Sequence, residues 1–190
     1  MAMQGAHPHS GMSSRGLIDA GKVLAAIGLA RGQTVLDAGA GTGHFSVAAS
    51  ALVGPAGTVW AIDVDRPSLD LLSRELFTNG IKNIRPLLAN LAGELPVRTS
   101  SVDLCIMVNV LHGLAYEGRA SVAVAEMARV LRPGGRFAVI EFKKEEMSVG
   151  PPVEVRLRSD EVEVLATPSG FRRERIFEAG PYSYAIVFRK

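Results

Sequence analysis

The feature that most constrains this chain is a glycine-rich turn that follows an apolar run. Residues 35–43 read Val-Leu-Asp-Ala-Gly-Ala-Gly-Thr-Gly, and the next apolar run, 58–63, ends in Asp63. This order is typical of a strand, a tight turn, a helix start and a second strand that ends in a carboxylate. Amides at a helix start attract anions, and a carboxylate accepts hydrogen bonds from sugar hydroxyls. The pattern therefore predicts a site for a cofactor that contains adenosine.

Short apolar runs alternate with helical segments over residues 17–142, which is the pattern of a parallel sheet covered by helices on both faces. The predicted strands are 34–37, 58–63, 84–89, 102–109 and 136–142, and the predicted helices are 17–29, 44–53, 68–79 and 120–131. Pro86 cannot donate a ladder hydrogen bond, so the third strand should lie at an edge of the sheet. Residues 132–135, Arg-Pro-Gly-Gly, should form a sharp stop between the last helix and the fifth strand.

The pattern changes after residue 150. Ser159 is a predicted N-cap, with Asp160 and Glu161 in the first turn of a short helix. Two further strands, 171–177 and 182–188, are close enough in sequence to form an antiparallel hairpin. The expected fold class is α/β, with a single doubly wound, seven-stranded, mostly parallel sheet that ends in an antiparallel C-terminal hairpin strand. Residues 15–190 should form this domain, and residues 1–14, which carry His7 and His9, a mobile N-terminal arm.

The composition indicates which binding partners and which cellular compartment to expect. The chain has 190 residues, enough for one domain, and a net charge of only +2, so nucleic acid is an unlikely partner. Its one cysteine, Cys105, lies in an apolar run, which excludes an internal disulfide and favours a reducing cytoplasm. No apolar stretch reaches the roughly 18–20 residues that cross a bilayer, so no membrane is expected. No cluster of His, Cys, Asp and Glu has the spacing of metal ligands, so no metal site is predicted.

The glycine spacing distinguishes between cofactors. Gly39, Gly41 and Gly43 read G-x-G-x-G, whereas the dinucleotide fingerprint needs a glycine at the position of His44. A pyrophosphate is therefore disfavoured, and no Gly-Lys-Ser/Thr sequence indicates a nucleoside triphosphate. Asp65 is better interpreted as a helix cap than as a ligand.

These residues resemble the first motif of the class I methyltransferases that use S-adenosylmethionine. Further landmarks match in order over nearly the whole chain: Ile62-Asp63, residues 90–96, residues 102–104 leading to Asn109-Val110-Leu111-His112, and Leu131-Arg132-Pro133-Gly134-Gly135. The run Gly180-Pro181-Tyr182-Ser183-Tyr184 looks like the end of a subgroup of small methyltransferases of this class. The resemblance implies a Rossmann-like three-layer sandwich with S-adenosyl-L-methionine as cofactor and S-adenosyl-L-homocysteine as product.

The resemblance also implies which residues hold the methionine end of the cofactor. Gly39 and Gly41 let the backbone approach it without a side-chain clash, and Ala38 precedes them. The amides beyond Thr42, at the helix start, would attract its carboxylate. Asp37 would hold its ammonium through water.

The other predicted contacts lie at the adenosine end and at the fourth strand. Asp63 would accept hydrogen bonds from both ribose hydroxyls. Val64 would lie against the adenine face, and Asn90, where the family often has Asp, would contact the exocyclic amine or the ring nitrogens, with a backbone contact from Leu91. Asn109 would offer its main-chain carbonyl to the ammonium or the sulfonium.

Methyl transfer from a sulfonium is an in-line displacement, so the protein mainly supplies alignment and a dry site. If the acceptor is a hydroxyl or an acid carbon, His112 is the best-placed general base; otherwise it fixes a loop or contacts the cofactor. Glu141 is a second candidate. The short connection after the fifth strand favours a small-molecule acceptor over a macromolecule.

Alternative functions remain open from the sequence. They are a nicotinamide-dependent oxidoreductase, a protein that binds S-adenosylmethionine without transferring methyl groups, and an RNA or protein methyltransferase. The sequence does not define the acceptor atom, the oligomeric state, or whether the arm folds over the bound cofactor.

Overall fold

A computed structural model describes residues 14–190. The predicted mobile arm, with His7 and His9, lies outside the described residues except for Ser14. The strands are β1 (Thr34–Ala38), β2 (Thr58–Asp63), β3 (Ile84–Leu88), β4 (Val102–Val108), β5 (Leu131–Phe142), β6 (Arg172–Gly180) and β7 (Ser183–Arg189). The α-helices are α1 (Ala20–Ile27), α2 (His44–Val53), α3 (Arg66–Asn79), α4 (Leu111–Tyr116), α5 (Ala120–Val130) and α6 (Ser159–Ala166), and two short 3₁₀ turns flank α6 at Val153–Val155 and Thr167–Ser169.

The described strands form one seven-stranded sheet in the order β3-β2-β1-β4-β5-β7-β6. Strands β1 to β5 pair in parallel, and β7 pairs antiparallel with both β5 and β6. The α/β class, the mostly parallel sheet and the C-terminal hairpin are thus confirmed, and Pro86 lies in the edge strand β3. The strand order changes direction between β1 and β4, and a crevice forms at the carboxyl ends of strands at such a point.

Helices cover both faces of the sheet. Neighbouring residues of one strand point to opposite faces, so Val35 packs into one hydrophobic cluster and Leu36 into the other. The cluster around Val35 contains buried residues of α1, α2 and α3, and the cluster around Leu36 contains buried residues of α4, α5 and α6. This is the expected three-layer sandwich.

Local capping sets the helix boundaries near the site. The Asp65 carboxylate accepts a hydrogen bond from the Ser68 N–H at 2.9 Å, so Asp65 is the N-cap of α3, as predicted, and the helix begins at Arg66 rather than at Ser68. Helix α1 is shorter than predicted. Asp19 caps its start, and Gly28, in the left-handed conformation, ends it.

The structure also differs from the sequence expectations at β5, α4, α6 and β6, which extends to Gly180 and not only to the predicted residue 177. Strand β5 begins at Leu131, before the predicted stop, because Leu131 pairs with Val102 while Arg136 pairs with Leu104, and residues 132–135 bulge out between these pairs. The short helix α4 was not predicted, since six residues are too few for a periodic pattern. The N-cap of α6 is one residue before Ser159.

Candidate cofactor and acceptor site

The principal pocket of the described residues lies at the carboxyl ends of β1 and β4. Its lining includes five of the predicted cofactor residues: Asp37, Gly39, Gly41, Thr42 and Asn109. It also includes Ser14, Ala40, His44, Phe45, Ser68 and Val108. The pocket therefore coincides with the crevice at which the strand order reverses, which is where ligands bind in open α/β sheets.

Positive φ angles shape the glycine turn. Gly39 and Gly41 have φ angles of +82° and +53°. The amides of Gly39 and Ala40 donate to the Ile62 carbonyl at 2.8 and 2.9 Å, which joins the turn to β2. A Cβ on Gly39 would lie 2.3 Å from Cγ2 of Val110, whereas a Cβ on Gly41 would meet none of the described residues within 4 Å. Gly39 is thus needed for packing, and Gly41, which lines the pocket, leaves open space beside the turn.

Asp37 is almost completely buried, with 1% of its surface exposed. The Ser46 hydroxyl of α2 donates a hydrogen bond of 2.6 Å to its carboxylate. The pKa of Asp37 is raised to about 7, chiefly by burial and to a smaller extent by the negative charge of Asp63, while the hydrogen bond from Ser46 acts in the lowering direction. Asp37 therefore places an ionisable carboxyl group at the pocket floor, and its charge is sensitive to any cation that binds nearby. Ala38, which follows, is fully buried.

Asp63 lies at the end of β2 and bonds to the glycine turn. One carboxylate oxygen accepts a hydrogen bond from Gly41 N–H at 2.7 Å, and the other accepts from Asp65 N–H at 2.9 Å. A carboxylate offers about four lone-pair positions, so acceptor capacity remains for a vicinal diol. The neighbouring Val64 is 52% exposed, which leaves an apolar surface beside the carboxylate.

The predicted adenine contacts on the next strand differ in exposure. Asn90 is exposed, and its Oδ1 accepts a hydrogen bond from Ala92 N–H at 3.0 Å, which orders the loop after β3. The Leu91 side chain is packed into the core at 6% exposure, so it is not available for a contact with a ligand. Neither residue lines the principal pocket, and their roles toward adenine stay predictions.

Asn109 follows β4 with a left-handed backbone, φ +57°. Its N–H donates to the Ile140 carbonyl at 2.8 Å. Its side-chain Oδ1 is buried and has no hydrogen-bond partner within the described part of the chain. The resemblance to the methyltransferases implies a role only for the main-chain carbonyl of this residue.

The structure brings His112 and Glu141 together, although the sequence suggested them as separate candidates. Nδ1 of His112 lies 2.7 Å from Oε2 of Glu141, and the His112 backbone N–H donates to Oε1 at 3.1 Å. Burial lowers the pKa of His112, but the hydrogen bond and the charge of Glu141 outweigh it, so the pKa is raised. Both side chains are buried, and neither belongs to the lining of the principal pocket.

Several pocket residues were missed by sequence reasoning. Ser14, Phe45 and Ser68 come from three separate segments, and no local motif marks them. In the sequence, His44 is only a departure from the dinucleotide fingerprint. In the structure its Nε2 lies 3.0 Å from the Ile18 carbonyl, which connects the start of α2 to the segment before α1. Ser46, the third residue of α2, was the available sequence signal for the contact with Asp37.

Residues 14–190 contain neither a candidate metal site nor a candidate membrane-spanning helix. No three His, Cys, Asp or Glu side chains are grouped so that they could hold a metal ion. None of the helices in this range combines the length and the apolar character that a bilayer crossing requires.

Comparison with known proteins identifies the family. The family described as "Methyltransferase domain" matches residues 35–135, just over half of the chain, from the glycine-turn strand to the bulge in β5. The chain belongs to this family. It is a member of the class I S-adenosylmethionine-dependent methyltransferases, and S-adenosylmethionine is the cofactor of that class.

Curated relatives match over the same region. The ubiquinone/menaquinone biosynthesis C-methyltransferase UbiE of Burkholderia multivorans is 38% identical over 113 residues, which cover 60% of this chain and 44% of that protein. The protein of the same name from Hahella chejuensis is 39% identical over 118 residues, which cover 62% of this chain and 46% of that protein. The chain thus spans about half the length of the curated relatives that it matches.

Solved structures match over more of the chain. A SAM-dependent methyltransferase from Aquifex aeolicus is 32% identical with a TM-score of 0.86, covering 95% of this chain and 94% of that chain. The [4+2]-cyclase SpnF is 16% identical with a TM-score of 0.74, covering 90% of this chain and 80% of that chain. At that identity the second likeness shows the fold alone.

Proposed function

We propose that this protein transfers the methyl group of S-adenosylmethionine to a small-molecule acceptor. The observation that carries the proposal is the pocket at the reversal of strand order, where the glycine turn, Asp37 and Asn109 meet in a chain of this family. The methyl carbon forms a bond to the acceptor while its bond to sulfur breaks, and S-adenosylhomocysteine leaves as a neutral thioether. Alignment and exclusion of water are then the main tasks of the protein.

The pocket lining would hold the methionine end of the cofactor, and the neighbouring end of β2 would hold its adenosine end. Gly39 and Gly41 would lie beside the methionine end, the amides at the start of α2 would attract its carboxylate, and Asp37 and Asn109 would attract its ammonium. Asp63, whose carboxylate has unused acceptor positions, would accept hydrogen bonds from the ribose hydroxyls, and the exposed face of Val64 would contact adenine.

For the acceptor we propose a compound with an acidic O–H or C–H group. The UbiE relatives are named as C-methyltransferases of ubiquinone and menaquinone biosynthesis, so a quinol-like carbon acid is a candidate for this chain. His112, whose pKa is raised by Glu141, is the proposed base that takes the acceptor's proton. The absence of a large insertion between β5 and β6 agrees with a small acceptor.

Isothermal titration tests the cofactor assignment. The protein should bind S-adenosylhomocysteine and not NAD, because no glycine occupies the third position of the dinucleotide fingerprint. Asp63→Ala should weaken S-adenosylhomocysteine binding at least about tenfold, the cost of hydrogen bonds to a charged group. The matched control is Asp70→Ala, which removes an exposed aspartate of α3 whose ion-pair partner is Arg66. Binding of NAD in preference to the adenosyl ligand would refute the assignment.

A second candidate is a protein that binds the cofactor without transferring methyl groups. The likeness of fold to a [4+2]-cyclase shows that this architecture also occurs in a protein not named as a methyltransferase. A screen of small acceptors, quinols included, with detection of S-adenosylhomocysteine distinguishes the two functions. Product formation that is lost in His112→Ala supports transfer; tight binding without product across the screen supports the second candidate.

We also propose a cytoplasmic location. The free thiol of Cys105 is buried in β4, and no second cysteine is available for a disulfide, which agrees with a reducing compartment. Fractionation of cells that express the tagged protein tests this location.

A further inference from the structure

Arg156 is a buried arginine, with 4% of its surface exposed. Arginine is almost never buried unless its guanidinium has partners, and here the partners are main-chain carbonyls. Nε donates to the Pro151 carbonyl at 2.8 Å, and Nη2 donates to the Val149 carbonyl at 2.9 Å. Nη1 donates to the carbonyls of Lys143 and Glu145 at 3.2 and 2.7 Å. Because these four acceptors are neutral, the guanidinium keeps its positive charge inside the protein.

The chain between β5 and α6 is folded around this guanidinium. The four carbonyls belong to residues 143–151 of the β5–α6 segment, which we define as residues 143–155 and which contains no strand and no α-helix. The guanidinium carbon lies 5.8 Å from the ring centroid of Phe142, the last residue of β5. Gly150 packs against the same ring, since a Cβ on it would lie 2.9 Å from the ring carbons. One side chain, Arg156, therefore determines much of the shape of the segment.

The β5–α6 segment joins the two elements that carry the proposed base. It begins directly after β5, which carries Glu141, and its 3₁₀ turn at Val153–Val155 packs beside α4, which carries His112. His112 and Glu141 are only 5% and 1% exposed. The segment is thus part of the structure that surrounds the pair and shapes the approach of an acceptor to His112.

The charge of Arg156 acts on the same pair. Burial lowers the pKa of His112, the hydrogen bond and the charge of Glu141 raise it to give a net rise, and the positive charge of Arg156 acts in the lowering direction. Protonated His112 and Glu141 alone would form a neutral ion pair, whereas Arg156 adds a positive charge that disfavours the protonated form. A base works best when its pKa lies near the working pH, so Arg156 counteracts excessive protonation of His112.

Other ionisable groups on the surrounding elements have partners or face solvent. They are Tyr184 on β7, whose hydroxyl donates to the Leu157 carbonyl, the ion pairs Lys143–Glu178, Lys144–Glu161, Glu117–Arg119 and Glu126–Arg129, and the exposed Glu145, Glu146 and Glu154.

We propose that Arg156 is the positioning residue of the His112–Glu141 pair: it folds the β5–α6 segment beside α4 and places a fixed positive charge next to the two side chains. The inference rests on the proposed function, in which His112 is the base that takes the acceptor's proton. Arg156 is not part of the lining of the principal pocket, so cofactor binding should not depend on it.

Four variants separate the effect of shape from the effect of charge. Arg156→Met removes the charge and all four hydrogen bonds, and Arg156→Gln removes the charge but keeps an amide donor, which preserves the test if Arg156→Met does not fold. Arg156→Lys keeps the charge, but its single ammonium cannot replace the planar fork that reaches four carbonyls. Arg158→Met is the matched control, because it removes an exposed arginine that pairs with Asp160.

Three measurements are made on each folded variant. They are amide hydrogen exchange of residues 143–155, an NMR titration of the His112 ring, and the dissociation constant of S-adenosylhomocysteine. Exchange should be at least about tenfold faster in Arg156→Met, and faster by a smaller factor in Arg156→Lys, because hydrogen bonds to a charged group are lost. The pKa of His112 should rise further in Arg156→Met and Arg156→Gln, and stay near the wild-type value in Arg156→Lys. Binding of S-adenosylhomocysteine should be unchanged in all four variants, and Arg158→Met should match the wild type throughout.

Several outcomes would overturn the inference. Wild-type exchange in Arg156→Met would mean that Arg156 does not hold the segment. A His112 pKa that does not rise in the neutral variants, or that rises equally in Arg156→Lys, would mean that the charge of Arg156 does not act on the pair. Weaker binding of S-adenosylhomocysteine by the Arg156 variants alone would place the residue at the cofactor site instead. Failure of the wild-type protein to bind S-adenosylhomocysteine would overturn the proposed function, and it is distinguishable because the exchange and titration results do not depend on the ligand.

Discussion

Gly41→Ala gives the sharpest test of the proposed cofactor position. Gly41 has a φ of +53°, and a Cβ built on it meets no atom of residues 14–190 within 4 Å. The substitution therefore introduces no steric clash with the described part of the fold. Its cost to folding is the strain of a left-handed alanine, about 1 kcal/mol, which lowers the melting temperature of a chain of this size by roughly 2–4 °C.

The effect on ligand binding should be larger than the effect on stability. The added methyl group occupies the open side of the turn, where the methionine end of the cofactor is proposed to lie. Overpacking of a close contact costs about 1–3 kcal/mol, or roughly 5- to 150-fold in dissociation constant. Titration with S-adenosylhomocysteine measures this loss, and thermal melting of the unliganded variant measures the strain.

Gly80→Ala is the matched control. Gly80 ends α3 with a φ of +65°, and a Cβ there also meets nothing within 4 Å. The two variants should lose similar stability, and only Gly41→Ala should lose affinity. Unchanged binding by Gly41→Ala, or an equal loss in both variants, would refute the position of the cofactor over the turn.

Three further predictions concern the same region. The pKa of Asp37 is raised to about 7 from 3.8, so the folded protein holds this proton more tightly than the unfolded chain does. The free energy of unfolding should therefore fall as the pH rises from 3.8 to about 7. Asp37→Asn should make this fall smaller in denaturant melts. Glu141→Gln should lower the pKa of His112 below its ordinary value, because burial then acts without the opposing charge of the carboxylate. If an NMR titration of the imidazole ring gives the same pKa in the variant and the wild type, the pairing of His112 with Glu141 is contradicted. Gly43→Ala should destabilise the protein more than Gly41→Ala in the same melting assay, since a Cβ on residue 43 would lie 2.3 Å from Cδ1 of Leu72. Equal melting temperatures of the two variants would contradict this expectation.

The fold was predictable because its signals are local. Apolar runs separated by helical segments specify a covered parallel sheet, and proline within residues 84–88 marks an edge strand without knowledge of its neighbours. The cap at Asp65 depends on an N–H three residues away, so its role could be deduced from sequence. The bulge at 132–135 could not be predicted, because it depends on how β5 pairs with β4 rather than on the turn sequence.

The sequence by itself determined where the glycine turn lies, which strand ends carry Asp37, Asp63 and Asn109, and which family these residues resemble. Only the tertiary structure decided what these side chains contact. Ser46 bonds to Asp37, Glu141 bonds to His112, and Oδ1 of Asn109 is left without a partner among the described residues. The reason is physical. Backbone preferences are determined by residues that are neighbours in sequence, whereas the burial and the hydrogen-bond partners of a side chain depend on strands that meet only after the chain has folded.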